Sequence, residues 1–241
     1  MLKVLLEGLG DLVFPYNCLL CSQYVPDKNL PHVCSSCLAA VEFNTPPFCL
    51  RCSRHLTIYS AQGLCPACLK YPIAFDQAWG TVAYTPEIQK LLHLFKYQQR
   101  TMVRNVFRYF IHTFCHSYPI AFNQFDLIIP IPLHPVRIRE RGFNQAQLIA
   151  EMISHSHGIP IHNQSLIRIR HTQPQSFLDQ KERWTNMQGA FKIKTHSKIN
   201  DKSILLIDDL LTTGATASAA AHLLKEAGAK RVGLFVIALA H

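Results

Sequence analysis

The sequence predicts an α/β protein in which a small metal-binding domain precedes a mostly parallel sheet flanked by helices. Two observations predict this architecture. Near the C-terminus, four branched apolar residues at 204–207 indicate a buried strand, and an Ala-rich stretch indicates a helix over Ala217–Ala227 that ends at Gly228. Near the N-terminus, eight of the nine cysteines occur as four Cys-x-x-Cys pairs. Closely spaced thiols of this kind are typical of structural metal sites.

The cysteine pairs form an internal repeat, because each cysteine of the second set follows its counterpart in the first by 31 residues. Eight thiolates suffice for two tetrahedral zinc sites, and the equal offset favours sequential sites, with cross-braced pairing left open. The alternatives are an iron–sulfur cluster or disulfides. Disulfides need an oxidising compartment, whereas residues 1–14 resemble a short amphipathic helix rather than a secretory signal. The predicted ligand sets are Cys18, Cys21, Cys34 and Cys37, and Cys49, Cys52, Cys65 and Cys68.

Length and charge agree with two domains and an anionic partner. We expect a zinc-ribbon-like domain over residues 1–72 and an α/β domain of ordinary size over residues 73–241. The sequence contains no run of eighteen apolar residues, so it predicts no transmembrane segment. The net charge of +9 favours a phosphate ligand, a nucleic acid or an acidic protein as partner. The ninth cysteine, Cys115, is expected to be a small core residue.

The α/β domain is expected to begin with a strand or hairpin arm at Ala74–Tyr84, followed by a helix that Thr85 caps. A second helix is predicted over Thr101–Cys115. Apolar residues at helical spacing predict the buried faces of both helices. These residues are Ile88, Leu91, Leu92 and Phe95 in the first helix, and Val103, Val106, Phe107, Phe110 and Ile111 in the second.

Four basic residues in this region recur every four positions, and one unbroken helix would align them in a single basic stripe. They are Lys96, Arg100, Arg104 and Arg108. Residues 88–125 contain no acidic side chain that could balance them. The stripe is therefore a candidate surface for single-stranded DNA, to which Tyr97 and Tyr109 could add base stacking. The alternative is an ordinary solvated helix face with tyrosines that pack against the core.

Two adjacent carboxylates, Asp208 and Asp209, follow the buried strand, and a Thr-rich loop at residues 210–216 follows them. The N–H groups of such a loop and the N-terminus of the next helix can hold an anion, and the carboxylates can accept hydrogen bonds from ribose hydroxyls. The hydroxyls of the loop are those of Thr212, Thr213 and Thr216. The alternative, an acidic turn after an ordinary strand, is disfavoured because no Lys or Arg adjoins the acid pair in sequence. The chain contains neither a Walker A loop nor a Gly-x-Gly-x-x-Gly loop after a strand.

A second strand is predicted over Asp126–Leu133, with a basic loop at residues 134–145 and a helix over Ala146–His157. Ligands of open α/β sheets bind beyond the carboxyl ends of the strands, so this loop is expected at the same rim as the acid pair. Arg side chains form bidentate contacts with phosphate oxygens. The basic residues of the loop are Arg137, Arg139 and Arg141.

Four segments carry a resemblance to known families. Residues 204–216 resemble the phosphoribosyl-pyrophosphate (PRPP) signature of the type I phosphoribosyltransferases, which implies that fold for the α/β domain. The string Pro-Leu-His-Pro-x-Arg-x-Arg-x-Arg-Gly-Phe-Asn-Gln at residues 132–145, together with the cysteine repeat, resembles the ComF family of competence proteins. The resemblance extends from Cys18 to about Ala238. Residues 168–191 are similar to the segment that forms a hood over the site in that family, and would bring Arg168, Arg170 and Lys181 to it.

The resemblance implies a phosphoribosyl site in which Mg²⁺ bridges the ribose hydroxyls and the pyrophosphate. The implied PRPP-binding residues are Leu133, His134, Arg137, Asp208, Asp209, Leu211, Thr212, Thr213, Gly214, Ala215 and Thr216, and the implied catalytic groups are Asp208, Asp209 and Arg137. It also implies an accessory role in natural transformation, with single-stranded DNA and a DNA-translocating helicase as partners, in the cytoplasm and near the inner membrane through those partners. The candidate DNA-binding residues are Lys96, Arg100, Arg104, Arg108, Arg139 and Arg141.

Three functional hypotheses follow. The first is a competence accessory protein that binds single-stranded DNA and PRPP or a related phosphate ligand. The second is an active phosphoribosyltransferase with an unknown acceptor. In enzymes of 6-oxopurine salvage a carboxylate stands where this chain has Thr212, so the obvious general base is missing. The third is a zinc-ribbon adaptor with a vestigial PRPP fold, which the intact Asp208, Asp209, Thr213 and Gly214 disfavour.

Overall fold

A computed structural model describes residues 16–27, 30–57, 60–97, 100–172, 179–194 and 199–240. The helix predicted over residues 1–14 lies outside these ranges. The helices are α1 (Ser35–Ala39), α2 (Pro66–Lys70), α3 (Pro86–Tyr97), α4 (Arg100–Ser117), α5 (Pro135–Arg141), α6 (Gln145–His157), α7 (Gln180–Met187) and α8 (Ala215–Glu226). The strands are β1 (Gln77–Ala83), β2 (Leu127–Pro130), β3 (Leu166–Arg168), β4 (Phe191–Ile193), β5 (Ser203–Leu211) and β6 (Arg231–Leu239). Within the described ranges, no helix is both long and apolar enough to span a membrane.

Four parallel strands form the main sheet in the order β1-β6-β5-β2, and β3 and β4 form a separate antiparallel pair. The predicted α/β class with a mostly parallel sheet is confirmed. The segment predicted over Ala74–Tyr84 is a parallel edge strand and not a hairpin arm. Strand β5 is apolar on both faces because helices cover both: Leu205 and Ile207 pack in one core, and Ile204 and Leu206 pack in the other.

The helices on the two faces create a crevice at one edge of the sheet. Helix α6, which follows β2, packs in the core with α3 and α4, whereas α8, which follows β5, packs in the opposite core. The chain therefore leaves the adjacent strands β2 and β5 in opposite directions. In doubly wound sheets, such a switch point opens a binding crevice at the carboxyl ends of the strands.

The two helices after β1 match their predicted faces, since the apolar residues named above are buried, Ile111 at the margin with 9% of its surface exposed. The continuous basic stripe, however, is not formed. Lys96 lies in the last turn of α3, whereas Arg104 and Arg108 lie on α4, which begins at Arg100. Residues 98–99 and the side chain of Arg100 lie outside the described part of the chain. The four-residue spacing thus extends across a helix boundary, where helical periodicity no longer predicts a shared face.

The predicted strand over Asp126–Leu133 is shorter than expected, and the basic loop that follows it is largely helical. Three local features start and stop α5. His134 precedes the helix and its Nδ1 accepts a hydrogen bond from the N–H of Val136, Pro135 occupies the first turn, and Gly142 ends the helix with a φ of 76°. Consequently, the three arginines of this segment are distributed around a helix instead of along an extended loop.

The cysteines form two sequential four-thiol clusters, one for each half of the repeat, and cross-braced pairing does not occur. In each cluster the four sulfur atoms lie within 4.8 Å of one another. The backbone repeats with the cysteines: Ser22 and Ser53 have φ values of 64° and 62°, and the N–H groups of Cys34 and Cys65 donate to the sulfurs of Cys18 and Cys49. Four converging thiols without carboxylates fit a structural zinc ion.

The buried apolar residues that the structure describes in the two ribbons belong to the cores of the α/β domain. Val25 and Val33 of the first ribbon belong to the core that contains α3 and α4, whereas Leu56 of the second belongs to the core on the α8 side of the sheet. The boundary between residues 72 and 73 stays a prediction, but the apolar packing runs across it. A chain segment this short gains most of its order from the metal and from the sheet against which it packs.

We predict two zinc ions per chain by elemental analysis of the purified protein. Cys65→Ser should reduce the content to one, because three thiolates and a hydroxyl no longer form the closed tetrahedral site. The matched control is Cys115→Ser, which should keep both ions, since Cys115 lies apart from the clusters and burial raises the pKa of its thiol to about 11. Fewer than one zinc ion in the unaltered protein would refute the metal assignment.

Candidate functional site

A cavity of about 810 Å³ opens at the carboxyl edge of the sheet, between β5 and the segment that follows β2. Strand β2 ends at Pro130, which pairs with Ile207, so the next residues of β5 have a strand neighbour on one side only. Asp208 and Asp209 therefore lie where the sheet opens, and both line the cavity. The sequence prediction that the acid pair and the basic segment share one rim is confirmed by this arrangement.

Most of the predicted phosphoribosyl-site residues meet in this cavity. Those that line it are Leu133, His134, Arg137, Asp208, Asp209, Thr212 and Thr216. Leu211, Gly214 and Ala215 line a small recess behind the loop, of about 20 Å³. Thr213 is buried, and its hydroxyl accepts a hydrogen bond from the N–H of Ala215 at 3.4 Å, so it starts helix α8 and does not face the cavity. Gly214 has a φ of 84°, which favours glycine at the tight turn before α8.

The acid pair has a cationic partner that its sequence neighbours did not reveal. Lys96 reaches from the last turn of α3, and its Nζ lies 2.7 Å from Oδ2 of Asp209. Burial and then the charge of Asp209 raise the pKa of Asp208 to about 8. Burial also acts to raise the pKa of Asp209, but the charge of Lys96 outweighs it and holds that pKa below its usual value. Near neutral pH, the pair therefore carries about one negative charge, which Lys96 balances.

Arginines supply most of the remaining charge around the cavity. Arg137 forms an ion pair with Glu140 at 2.8 Å, and Arg141 donates to Oε1 of Gln145 at 3.2 Å. The Nε atoms of Arg141 and Arg168, and Nε2 of Gln145, are buried without a hydrogen-bond partner among the described residues. Buried donors of this kind normally have an acceptor, so the cavity offers unsatisfied donors to an anionic ligand.

The cavity lining as a whole is cationic. Among the described residues that line it, the basic members are Lys96, Arg137, Arg141, Arg168 and Arg183, and the acidic members are Asp208 and Asp209. Burial lowers the pKa of Arg168, yet an arginine keeps its charge at any physiological pH. An excess of positive charge in a concave, partly desolvated site selects a ligand with several negative charges.

Three other predicted basic residues do not reach the cavity. Arg139 is exposed, because it lies two positions from both Arg137 and Arg141 and so points to another side of α5. Arg170 donates to backbone carbonyls at the end of α7, those of Asn186 in its last turn and of Gln188 directly after it. Lys181 lines a separate cavity of about 540 Å³ on the α8 side of the sheet. Of the hood residues expected at the site, Arg168 is the one that the structure brings there.

The surface proposed for DNA lies on the exposed side of α4. Arg108 and Tyr109 are exposed there, whereas Arg104 lies 3.6 Å from a carboxylate oxygen of Glu151 on α6. Although residues 88–125 contain no acidic side chain, the charge of Arg104 is therefore balanced by a carboxylate of a neighbouring helix. Two other candidate residues lie at the cavity and not on this surface. Lys96 forms an ion pair with Asp209, and the guanidinium of Arg141 lies 5.3 Å from the centre of the Tyr97 ring.

Comparisons with known proteins agree with this geometry. The double zinc ribbon domain model matches residues 9–69, and the phosphoribosyl transferase domain model matches residues 136–241. Competence protein ComFC of Bacillus subtilis (strain 168) is 32% identical over 228 residues, which cover 88% of this chain and 89% of that protein. The chain belongs to the ComF family. Other relatives are Competence protein F of Haemophilus influenzae (28% identity; 94% and 98% of the two chains) and the DNA utilization protein YhgH of Escherichia coli (strain K12) (26%; 94% and 98%).

In this ComF-family chain, one buried arginine joins the second ribbon to the Thr-rich loop. Arg54 is 9% exposed, and its guanidinium donates to the backbone carbonyls of Leu211, Thr212 and Ala240, the last at 2.6 Å. It also lies 3.5 Å from the sulfur of Cys52, so it contacts both the cysteine cluster and the candidate phosphate loop. The one sequence signal was a break in the repeat, since the equivalent position of the first ribbon is Gln23.

We predict that Arg54→Met destabilises the protein and weakens the binding of a phosphate group to the Thr-rich loop. The substitution removes the donor to the carbonyls of Thr212 and Ala240, whereas the carbonyl of Leu211 keeps the N–H of Ala240. A buried group left unsatisfied costs about 1–3 kcal/mol. Thermal unfolding should show a clear fall in Tm with both zinc ions retained. Arg51→Met is the matched control, because Arg51 makes one longer hydrogen bond, at 3.3 Å to the carbonyl of Ile73. Equal Tm values for the Arg54 and Arg51 variants would show that the hydrogen bonds of Arg54 make no specific contribution to stability.

Proposed function

We propose that this protein binds PRPP or a closely related sugar phosphate in the cavity and single-stranded DNA on its basic surface, as an accessory protein of DNA uptake. The site supports the first part and the relatives support the second. Proteins similar to this chain over most of their length are named for competence and for DNA utilization. The proposed setting is natural transformation in the cytoplasm, with a DNA-translocating helicase as partner close to the inner membrane.

The observation that carries the ligand proposal is the position of the acid pair between two kinds of anion-binding group. On one side, the loop that ends at Gly214 turns into the N-terminus of α8 directly after the acid pair, and Thr212 and Thr216 face the cavity. Such a turn suits a terminal phosphate. On the other side, Arg137 and Arg141 suit a diphosphate. A ribose between them would place its hydroxyls at Asp208 and Asp209, so that each charged group predicted to line the cavity would contact a part of the ligand.

Binding without transfer is the form of this proposal that the site favours. Thr212 lines the cavity at the position where 6-oxopurine salvage enzymes have a carboxylate, so a general base for such an acceptor is lacking there. Transfer to another acceptor is the competing function, and release of pyrophosphate separates the two. A vestigial site is disfavoured, because a protein with no ligand to bind gains nothing from an acid pair and unsatisfied arginine donors at the same rim.

The proposed DNA surface centres on Arg108 and Tyr109 of α4, together with Arg104 one turn earlier and the exposed Arg139 of α5. Arg104 and Arg108 lie four residues apart and so share one side of the helix. Tyr109 is 38% exposed and is the aromatic side chain proposed to stack on a base. A backbone-binding surface of this kind reads phosphate charge and stacking rather than base identity.

For the ligand, we predict saturable PRPP binding by calorimetry, which Asp208→Ala combined with Asp209→Ala abolishes because the ribose hydroxyls lose their acceptors. Lys96 then lies unpaired, so the double variant should also be less stable, and circular dichroism should confirm that it is folded. The control is Glu226→Gln, an exposed carboxylate at the far end of α8. Undiminished affinity in the double variant would eliminate the ribose role, and pyrophosphate release with any nucleobase of a panel would favour the transferase.

For DNA, we predict that affinity for single strands falls with salt by a slope of roughly −0.7 per phosphate contacted in a plot of log K against log salt. Arg104→Ala with Arg108→Ala should weaken binding across all sequences and flatten that slope by about 1–1.5. Lys192→Ala with Lys230→Ala is the matched control, since both lysines are exposed and the same net charge is lost. An equal loss in both double variants would assign the effect to total charge and not to α4.

A further inference from the structure

The two ribbons share one backbone conformation, so residues 31 positions apart can be compared directly. Their hydrogen bonds repeat at this offset: the N–H of Leu19 donates to the carbonyl of His32 at 2.9 Å, and the N–H of Leu50 donates to the carbonyl of Gly63 at 3.0 Å. The positive φ values of Ser22 and Ser53 repeat as well. Two pairs of leucines are therefore equivalent, Leu19 with Leu50 and Leu38 with Leu69.

The equivalent leucines differ sharply in exposure. Leu19 and Leu38 are each 9% exposed and lie in the core that contains α3 and α4. Leu50 and Leu69 are 66% and 52% exposed. Single exposed leucines are common, but here both members of a pair that forms core in one ribbon are open in the other. Because the backbones agree, Leu50 and Leu69 lie on one side of the second ribbon, which we call its leucine face.

The leucine face of the second ribbon is open because this ribbon docks on the α/β domain through another side. Arg54 is buried beside Cys52, whereas the equivalent Gln23 of the first ribbon is exposed. The carbonyl of Arg51 accepts a hydrogen bond from the N–H of Ala78 in β1 at 2.7 Å. Among the described residues, the two leucines of the face belong to neither core.

The first ribbon shows what such a face can bind. Helix α3 belongs to the same core as Leu19 and Leu38. Nζ of Lys90, on this helix, donates to the carbonyl of Leu20 at 2.7 Å, so α3 adjoins the ribbon at that point. Helix α3 buries one apolar stripe and exposes polar residues elsewhere, and is therefore amphipathic. The open leucine face is thus suited to a second amphipathic helix.

Charge decides which helix fits. Each leucine of the open face is followed by a basic residue, Arg51 or Lys70, and residues 45–72 contain no Asp or Glu. The equivalent residues of the first ribbon are the uncharged Leu20 and Ala39. A symmetric contact between two copies of this face would bring like charges together, which disfavours self-association. A helix whose apolar stripe is flanked by carboxylates would complement the face.

We infer that the leucine face of the second ribbon binds an acidic amphipathic helix of another protein. This inference goes beyond the proposed function, because it requires neither the phosphate ligand nor DNA. It also accounts for the presence of two similar ribbons with different surroundings. The first ribbon uses its leucine face within the chain, and the second presents the same face to a partner.

The test measures the binding of two synthetic peptides to the full-length, zinc-loaded protein by fluorescence anisotropy at physiological ionic strength. Each peptide has capped ends and about sixteen residues, long enough to form a helix. Both carry one leucine stripe at helical spacing, and the positions beside it are Glu in one peptide and Lys in the other. The Glu peptide should bind saturably and at least about tenfold more tightly than the Lys peptide.

Variants of the protein locate the binding surface. Leu50→Ser with Leu69→Ser should weaken binding of the Glu peptide by about tenfold or more, because its apolar contacts are lost. The matched control is Ile167→Ser with Ile169→Ser, which removes two isoleucines outside the ribbons that are 38% and 53% exposed, and it should keep the affinity. Lys70→Glu should also weaken the Glu peptide and favour the Lys peptide. Zinc content confirms that each variant keeps its ribbons.

Three outcomes would overturn the inference. The first is no saturable binding of the Glu peptide up to about 1 mM. The second is an equal effect of the leucine and isoleucine substitutions, since the contact would then not depend on this face. The third is a dimer in sedimentation that the two leucine substitutions dissociate, which would assign the face to a second copy of the chain.

Discussion

Two adjacent carboxylates at the open end of a central strand impose a charge constraint that the surrounding structure must satisfy. Asp208 and Asp209 end a strand whose preceding residues are fully buried, so water can stabilise their charge only from the cavity side. Protonation of Asp208 and the ion pair between Asp209 and Lys96 together meet this constraint. The orientation of α3 is therefore tied to the site, because its last turn must present Lys96 at the end of β5.

The N-terminal half of the chain packs around the helix that carries Lys96. Helix α3 is held against the sheet by Ile88, Leu91 and Phe95, and α4 packs beside it with Phe107 against Phe95. The first ribbon adds Val25 and Val33 to this core. What resembles a separate metal-binding domain in the sequence is thus part of the wall that positions the cation.

The second ribbon serves the opposite side of the site. Arg54 binds the carbonyls of Leu211 and Thr212 and lies beside Cys52, so the loop proposed to hold the phosphate rests on a zinc-stabilised scaffold. A loop whose carbonyl groups are fixed in this way loses little conformational entropy when an anion binds to its N–H groups. The two ribbons, although equivalent in sequence spacing, therefore support different parts of one cavity.

The sequence predicted the features that depend on local pattern. The parallel sheet, the sequential cysteine clusters and the shared rim of Asp208 and Arg137 follow from hydrophobic periodicity, ligand spacing and strand polarity. The Lys96–Asp209 ion pair and the hydrogen bonds from Arg54 to the Thr-rich loop could not be predicted in this way, because each joins residues more than a hundred positions apart through tertiary packing. The prediction of a single basic stripe was wrong because the four-residue spacing extends across the boundary between α3 and α4.

Whether the cavity binds both the 5-phosphate and the diphosphate of one phosphoribosyl ligand is tested most directly by phosphorus NMR. In PRPP, the 5-phosphate and the two diphosphate phosphorus atoms give separate resonances that broaden when their group is immobilised. If one ligand occupies both ends of the cavity, all three resonances should broaden on addition of the protein, and ribose 5-phosphate should compete with PRPP. Broadening of the diphosphate alone, matched by inorganic pyrophosphate and unaffected by ribose 5-phosphate, would contradict it and reduce the cavity to a general polyanion site.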